Sequence, residues 1–396
     1  MGIDYNKTMN TFITSLDQEV SNQMVVTWDI GKRCNFDCVY CDPLTHDNTS
    51  PHASLETLSN TTDFIKEYLD IIFKYKTNNE DFSISLTGGE PTTNPNFPEL
   101  TKYLKEKFGK RHVSVTSNGS FGKNAFDAIV DNLKNITVSY HCDAGPKIKE
   151  KVIQNILDLN EATKVRVNLM FHFKDEYFRE CIRLTKFFED NKIRYTPRVV
   201  NHKPYTKQQT NWFKDYWAEK AKAKLLIDKT KVHQIGRESI KVNKEKERLK
   251  TGNPTEEHKH IVKGRHCCAS LPLLFENKET DTWEKGTYCT DTNFKNWFCS
   301  VNWFFLHIEQ QTNKVFHHQT CQANWNNTRG PIGTLSESHL IIDRLKKQVS
   351  GDTVPVLQCT IDTCKCGMCT PKSQSIDTFN TIIKKHVKDL KFKNVS

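Results

Sequence analysis

The chain has 396 residues, of which 36% are hydrophobic and 26% charged, and it carries a net charge of +10 at neutral pH. That length exceeds one average domain and supplies ample apolar residues for a core, while the modest 16 Gly and 13 Pro exclude a fibrous or disordered chain, so a large domain with a smaller one appended is expected. No apolar run approaches the ~18 residues needed to cross a bilayer, and the start, MGIDYNKTMNTF, lacks an export signal, so a cytoplasmic protein with no membrane partner is expected.

Residues 1–24 read as an N-terminal extension. From Val25 the chain alternates β-branched or aromatic runs with segments of helical period, the pattern of βα units around a parallel sheet. Candidate strands are Val25–Ile30, Phe82–Leu86, His112–Thr116, Ile136–Tyr140, Lys164–Met170 and Arg194–Val199. Between them lie candidate helices at Thr62–Tyr75, Phe97–Phe108, Lys147–Leu159 and Glu176–Asn191. Six such units predict an α/β fold, a partial (β/α)6 TIM-like barrel over residues 25–205, with chemistry at the carboxyl ends of the strands. Residues 206–264 follow as a basic connector, helical around Trp212–Ile227; between Lys207 and Lys263 there are 15 Lys and Arg against 8 Asp and Glu. A solvated helical face accounts for that charge more simply than a polyanion-binding patch. The Cys-, His- and Trp-rich remainder, residues 265–396, is expected to form a small α+β domain ending in an amphipathic helix around Ile376–Leu390.

Fourteen cysteines in a reducing compartment point to metal or catalysis rather than disulfides. Cys142 and Cys181 stand alone in apolar surroundings and read as buried small hydrophobes. Seven others are clustered. Directly after the first strand comes Cys34-Asn35-Phe36-Asp37-Cys38-Val39-Tyr40-Cys41, a C-x3-C-x2-C loop. Three thiolates can ligate three corners of a 4Fe-4S cube and leave the fourth iron open to a small molecule. Structural zinc, the rival, wants four ligands and usually pairs C-x2-C units.

This loop resembles the signature of the radical S-adenosylmethionine (SAM) superfamily. The resemblance implies that Cys34, Cys38 and Cys41 hold a 4Fe-4S cluster whose unique iron binds SAM, and that reductive cleavage of SAM yields a 5′-deoxyadenosyl radical. It places Tyr40 against the adenine. Thr87-Gly88-Gly89-Glu90-Pro91, at the end of the second strand, resembles the family's GGE element and implies that Gly88, Gly89 and Glu90 receive the SAM amino group. Thr116-Ser117-Asn118-Gly119 resembles the ribose-contacting turn, with Asn118 as the contact, and Ser139 and Arg198 occupy strand positions where family members touch SAM.

Cys359-x4-Cys364-x-Cys366-x2-Cys369 packs four thiols into eleven residues and is expected to bind metal. With Cys267 and Cys321 upstream, the order resembles the SPASM and twitch extensions of radical SAM enzymes. That implies one auxiliary 4Fe-4S cluster or two, with zinc as the other occupant of a four-cysteine site. The spacing departs from the usual C-x2-C-x5-C-x3-C, and no Gly stands shortly before Cys321.

Taken together, the resemblance implies a radical SAM oxidoreductase or maturase served by a flavodoxin- or ferredoxin-type reductant. The substrate is a sugar-like small molecule or a peptide, and the short segment before the first strand favours the small molecule. The alternatives are an RNA-modifying enzyme, motivated by the basic connector, and a non-enzymatic iron-sulfur or zinc protein.

Overall fold

The computed structural model describes residues 11–13, 24–41, 46–75, 82–200, 205–213, 215–216, 271–277, 282–289, 295–299, 301–317, 321, 330–350, 357–360, 372–373 and 375–376. In chain order the first half runs β1 (Thr11–Ile13), β2 (Met24–Asp29), α1 (Leu55–Tyr75), β3 (Phe82–Thr87), α2 (Phe97–Phe108), β4 (Val113–Ser117), α3 (Lys123–Asn132), β5 (Asn135–His141), α4 (Pro146–Ala162), β6 (Lys164–Phe171), α5 (Asp175–Asp190) and β7 (Arg194–Val199). The second half continues β8 (Leu271–Asn277), β9 (Thr282–Cys289), β10 (Phe298–Cys299), α6 (Val301–Phe304), β11 (Phe305–Glu309), β12 (Lys314–Phe316), β13 (Gly333–Thr334), α7 (Ser338–Ser350), β14 (Leu357–Gln358) and β15 (Lys372–Ser373). The expected α/β alternation is present, and each expected strand coincides with an observed one to within a residue at either end. Helix α1 begins seven residues before the expected Thr62, where the Ser54 hydroxyl accepts from the Thr57 N–H at 3.2 Å and caps its first turn. No helix among the described residues is long and apolar enough to cross a membrane.

The chain divides into two compact units, one of residues 1–140, 144–167 and 267–396, the other of residues 141–143 and 168–266. In the first unit β2, β3, β4 and β5 are parallel neighbours in sequence order. Their residues alternate between buried and partly accessible, as a twisted sheet covered by helices on one face requires. Trp28, Leu86, Val115 and Ile136 lie on the buried face. In register on the other face stand Thr27, Ser85, Ser114 and Asn135, a row of polar side chains.

One addition was not expected. Strand β11 pairs parallel with β2 along its outer edge, Phe305 opposite Val25 through Glu309 opposite Asp29, and β12 and β13 follow antiparallel. This strand falls in residues 265–396, which were expected to form a separate small domain; here it seals the edge of the first parallel strand. Helix α1 is tied to the same segment: the Gln310 Oε1 accepts from the Trp28 Nε1–H at 3.1 Å and from the Thr61 hydroxyl at 3.0 Å, both buried. A second sheet of the same unit, ordered β14-β10-β15-β1-β8-β9, brings residue 11–13 and late strands together, with antiparallel pairing throughout.

In the second unit Phe171, Phe178, Tyr205, Trp212 and Phe213 form an aromatic core, ring centroids 4.8–6.4 Å apart. Cys142 and Cys181 are both buried there, each donating to the Met170 carbonyl, as their apolar surroundings suggested. Residues 207–213 and 215–216 of the expected connector helix are helical. Residues 214 and 217–264 and nearly all of the expected helix at 376–390 lie outside the described residues.

Candidate functional site

At the carboxyl ends of β2, β3 and β4 three loops of the first unit meet. The loop after β2 begins Gly31-Lys32-Arg33 and then carries Cys34, Cys38 and Cys41. It is pinned from both sides: the Cys34 N–H donates to the Asp47 carbonyl at 2.6 Å, the Asp47 N–H to the Lys32 carbonyl at 3.0 Å, and the Cys41 N–H to the Cys38 carbonyl at 3.0 Å. Burial pushes the Cys34 thiol up, and the nearby Glu90 and Cys41 add to it, while hydrogen bonds from the Phe36 N–H and the Asn118 amide favour the thiolate. Cys38 is buried, Cys34 half-buried and Cys41 exposed, with Val39 72% exposed between them. Three soft sulfur donors on one braced loop are the right chemistry for an iron-sulfur cluster.

The Gly88-Gly89-Glu90 loop packs on that loop through its backbone. The Gly89 N–H donates to the Gly31 carbonyl at 2.9 Å and the Glu90 N–H to the Arg33 carbonyl at 2.8 Å. Side chains cannot be accommodated: a Cβ on Gly88, whose φ is +121°, would stand 2.3 Å from the Gly31 oxygen, and one on Gly89 would stand 2.2 Å from the Lys32 oxygen. The close approach that glycine permits here is to the backbone at the start of the cysteine loop.

Glu90 is 3% exposed. Its Oε1 accepts from the Thr92 N–H at 3.1 Å, the Thr92 hydroxyl at 2.5 Å and the Ser117 hydroxyl at 2.8 Å, and its Oε2 from the Asn118 N–H at 2.6 Å. Burial pushes this carboxyl up, and those donors pull it back. The carboxylate therefore braces the third loop, Ser117-Asn118-Gly119. Asn118 in turn donates from Nδ2 to the Asn35 Oδ1 at 2.8 Å and accepts at Oδ1 from the Ser120 hydroxyl, whose oxygen receives the Asn35 amide at 2.8 Å. This triangle joins the cysteine loop to the turn after β4. Asn35 and Ser120 were missed in the sequence, where an Asn between two cysteines gives no signal of its partner 85 residues away.

Tyr40 is half-buried on the cysteine loop, and Ser139 is half-buried on β5. Arg198, on β7 in the second unit, donates from Nε to the Asn168 Oδ1 at 3.4 Å. Cys321 and Cys359 are both half-buried. The Cys359 N–H donates to the Trp297 carbonyl at 2.7 Å, which places it at the end of the short ladder that holds Cys299. Cys267, Cys364, Cys366 and Cys369 lie outside the described residues.

Residues 28–185, the stretch that contains all three loops, match the family model of the radical SAM superfamily. The match supports a radical SAM domain over these residues. That family implies SAM and a 4Fe-4S cluster as cofactors. The GTP 3′,8-cyclase of Aquifex aeolicus strain VF5 is 29% identical over 181 residues, covering 42% of this chain and 53% of that protein. A probable GTP 3′,8-cyclase of Saccharolobus islandicus strain L.S.2.15 is 31% identical over 147 residues, 35% of this chain and 44% of that one. The chain thus spans about half the length of these curated relatives. Among solved structures, SuiB of Streptococcus suis bound to SAM is similar at a TM-score of 0.47 and 12% identity, covering 82% of this chain and 65% of that one.

Proposed function

We propose that the protein is a radical SAM enzyme that holds a 4Fe-4S cluster on Cys34, Cys38 and Cys41 and removes hydrogen from a small, hydroxyl-bearing molecule. The observation that carries the reading is the interlock of the three loops, which spends backbone and buried side-chain hydrogen bonds on fixing one cysteine loop against two strand ends. When bound, the cluster supplies the electron that splits SAM into methionine and the 5′-deoxyadenosyl radical. The chain's own part is positioning. Gly88 and Gly89 let the second loop close on the first, Glu90 and Asn118 lock the third, and Tyr40 on the cysteine loop is assigned to the adenine. Such preorganisation is what orientation-dependent chemistry requires.

For the substrate, support comes from the polar row Thr27, Ser85, Ser114 and Asn135 on the sheet face opposite the helices, hydrogen-bonding groups suited to hydroxyls rather than to an apolar ligand. The relatives named above act, by their names, on GTP, itself a polyhydroxylated small molecule. We assign Cys321, Cys359 and the Cys364–Cys369 group as thiolates that would hold an auxiliary cluster, which would supply an electron acceptor for an oxidation; Cys359 flanks the short ladder that also carries Cys299.

The test is stimulation. Anaerobic, reconstituted protein with SAM and dithionite is given panels of polyols and nucleotides, of peptides, and of RNA, and 5′-deoxyadenosine is followed above the substrate-free rate. The proposal expects stimulation by a hydroxylated small molecule, with deuterium from its C–D bond appearing in 5′-deoxyadenosine; stimulation by peptide or RNA alone would refute it.

A further inference from the structure

The pairing of β11 with β2 sets Glu309 opposite Asp29 and His307 opposite Thr27. Residues two apart on a strand share a face, so Asp29, His307 and Glu309 stand together on the face of the polar row. One ligand atom from each of the three lies within 4.8 Å of those of the other two. His307 is 5% exposed, and its Nε2 stands 3.0 Å from Asp29 Oδ2. Two neighbouring ligands on one octahedral ion, each bonded at ~2.1 Å, also stand about 3.0 Å apart. Asp29 Oδ1 is buried and has no hydrogen-bond partner among the described residues, a costly state for a carboxylate oxygen.

The group is braced from behind. The Thr312 hydroxyl donates to Glu309 Oε2 at 2.7 Å, and the His307 ring stacks on Phe316 with centroids 5.9 Å apart and an interplanar angle of 27°. Contacts of this kind fix the orientation of ligands in metal sites. Two carboxylates around one imidazole also leave a negative charge that a divalent cation neutralises.

We propose that Asp29, His307 and Glu309 form a binding site for a divalent cation such as Mn²⁺. Carboxylate oxygens suit that ion, and the imidazole favours a first-row transition metal over Mg²⁺ or Ca²⁺. The ion clamps β11 to β2 and satisfies Asp29 Oδ1. Three protein ligands leave further positions on the face of the polar row, where water or a hydroxyl oxygen of a bound molecule completes the shell. The site rests on these side chains alone and stands or falls apart from the radical SAM reading.

The experiment titrates Mn²⁺ into the full-length chain, reconstituted with iron and sulfide, kept oxidised and passed over chelating resin to remove loose iron. Free Mn²⁺ is counted by its electron paramagnetic resonance signal; the thiolate sites prefer softer metals and do not compete for it. The wild type is expected to bind a single Mn²⁺ per chain saturably and to melt at a higher temperature when it does. Thr312→Val keeps all three ligands and is expected to weaken Mn²⁺ by about tenfold to a hundredfold, and Glu309→Gln by more. Asp175→Asn, which removes an acidic group from the first turn of α5, is expected to bind as the wild type does. Should Glu309→Gln prove insoluble, Thr312→Val alone carries the comparison. A folded wild type with no saturable Mn²⁺ site overturns the proposal and leaves Asp29–His307 a structural hydrogen bond. Binding as tight in Thr312→Val and every soluble ligand variant as in the wild type overturns it too. SAM cleavage is not read here, so neither result bears on the cluster assignment.

Discussion

Gly89 shows how little room the site leaves. Gly89→Ala would set a methyl group 2.2 Å and 2.4 Å from two main-chain oxygens of the cysteine loop, and backbone on both sides must shift to relieve it. A displacement of about 1 Å at a reacting centre costs on the order of a hundredfold. The expected result is a folded protein whose SAM cleavage falls by about that factor; activity within a few-fold of wild type would show that the loops do not need this contact. Glu90→Gln keeps the volume but replaces one acceptor oxygen by a donor facing N–H and O–H groups. Hydrogen bonds to a buried charged group are each worth about 1.5–3 kcal/mol, so a loss of about 2 kcal/mol or more is expected in urea denaturation, and an unchanged midpoint would mean that the brace is not needed.

Between elements, the decisive contact is β11 on β2. Gln310→Leu strips the Trp28 indole and the Thr61 hydroxyl of a shared acceptor, and about 1–3 kcal/mol of stability is expected to go with it, with iron content preserved; stability equal to wild type would contradict the assignment. How much of this was legible in the sequence follows from the range of each interaction. Strands β2 to β7 were readable because their alternation is local, and α2 because its Phe and Leu spacing and the Gly109 that ends it, with φ +81°, are local too. The cysteine loop and its two companion turns were readable as motifs. What escaped was every feature made by pairing across the chain: β11 against β2, some 280 residues apart, and the Asp29–His307 contact. In the sequence Asp29 is one polar residue at the end of an apolar strand, and His307 one polar residue in an apolar run. Glycine at positions 88 and 89 gave its requirement but not its partner.

At the scale of the molecule, residues 267–396 share a unit with the first parallel strands, so the late part of the chain completes the structure that carries the cysteine loop. Without residues 301–396, β2 would become an open edge with exposed N–H and C=O groups. A chain ended at residue 300 is expected to be recovered mainly in the insoluble fraction, whereas a soluble, cooperatively melting truncation would show that β11 is dispensable. The central claim, that these loops exist to hold a cluster that cleaves SAM, is tested most directly by one comparison. Wild type and a Cys34/Cys38/Cys41→Ala variant are reconstituted anaerobically with iron and sulfide, and 5′-deoxyadenosine is measured after addition of SAM and dithionite. The account predicts 5′-deoxyadenosine from the wild type alone; a fully iron-loaded wild type that makes none, or a variant that makes as much, would contradict it.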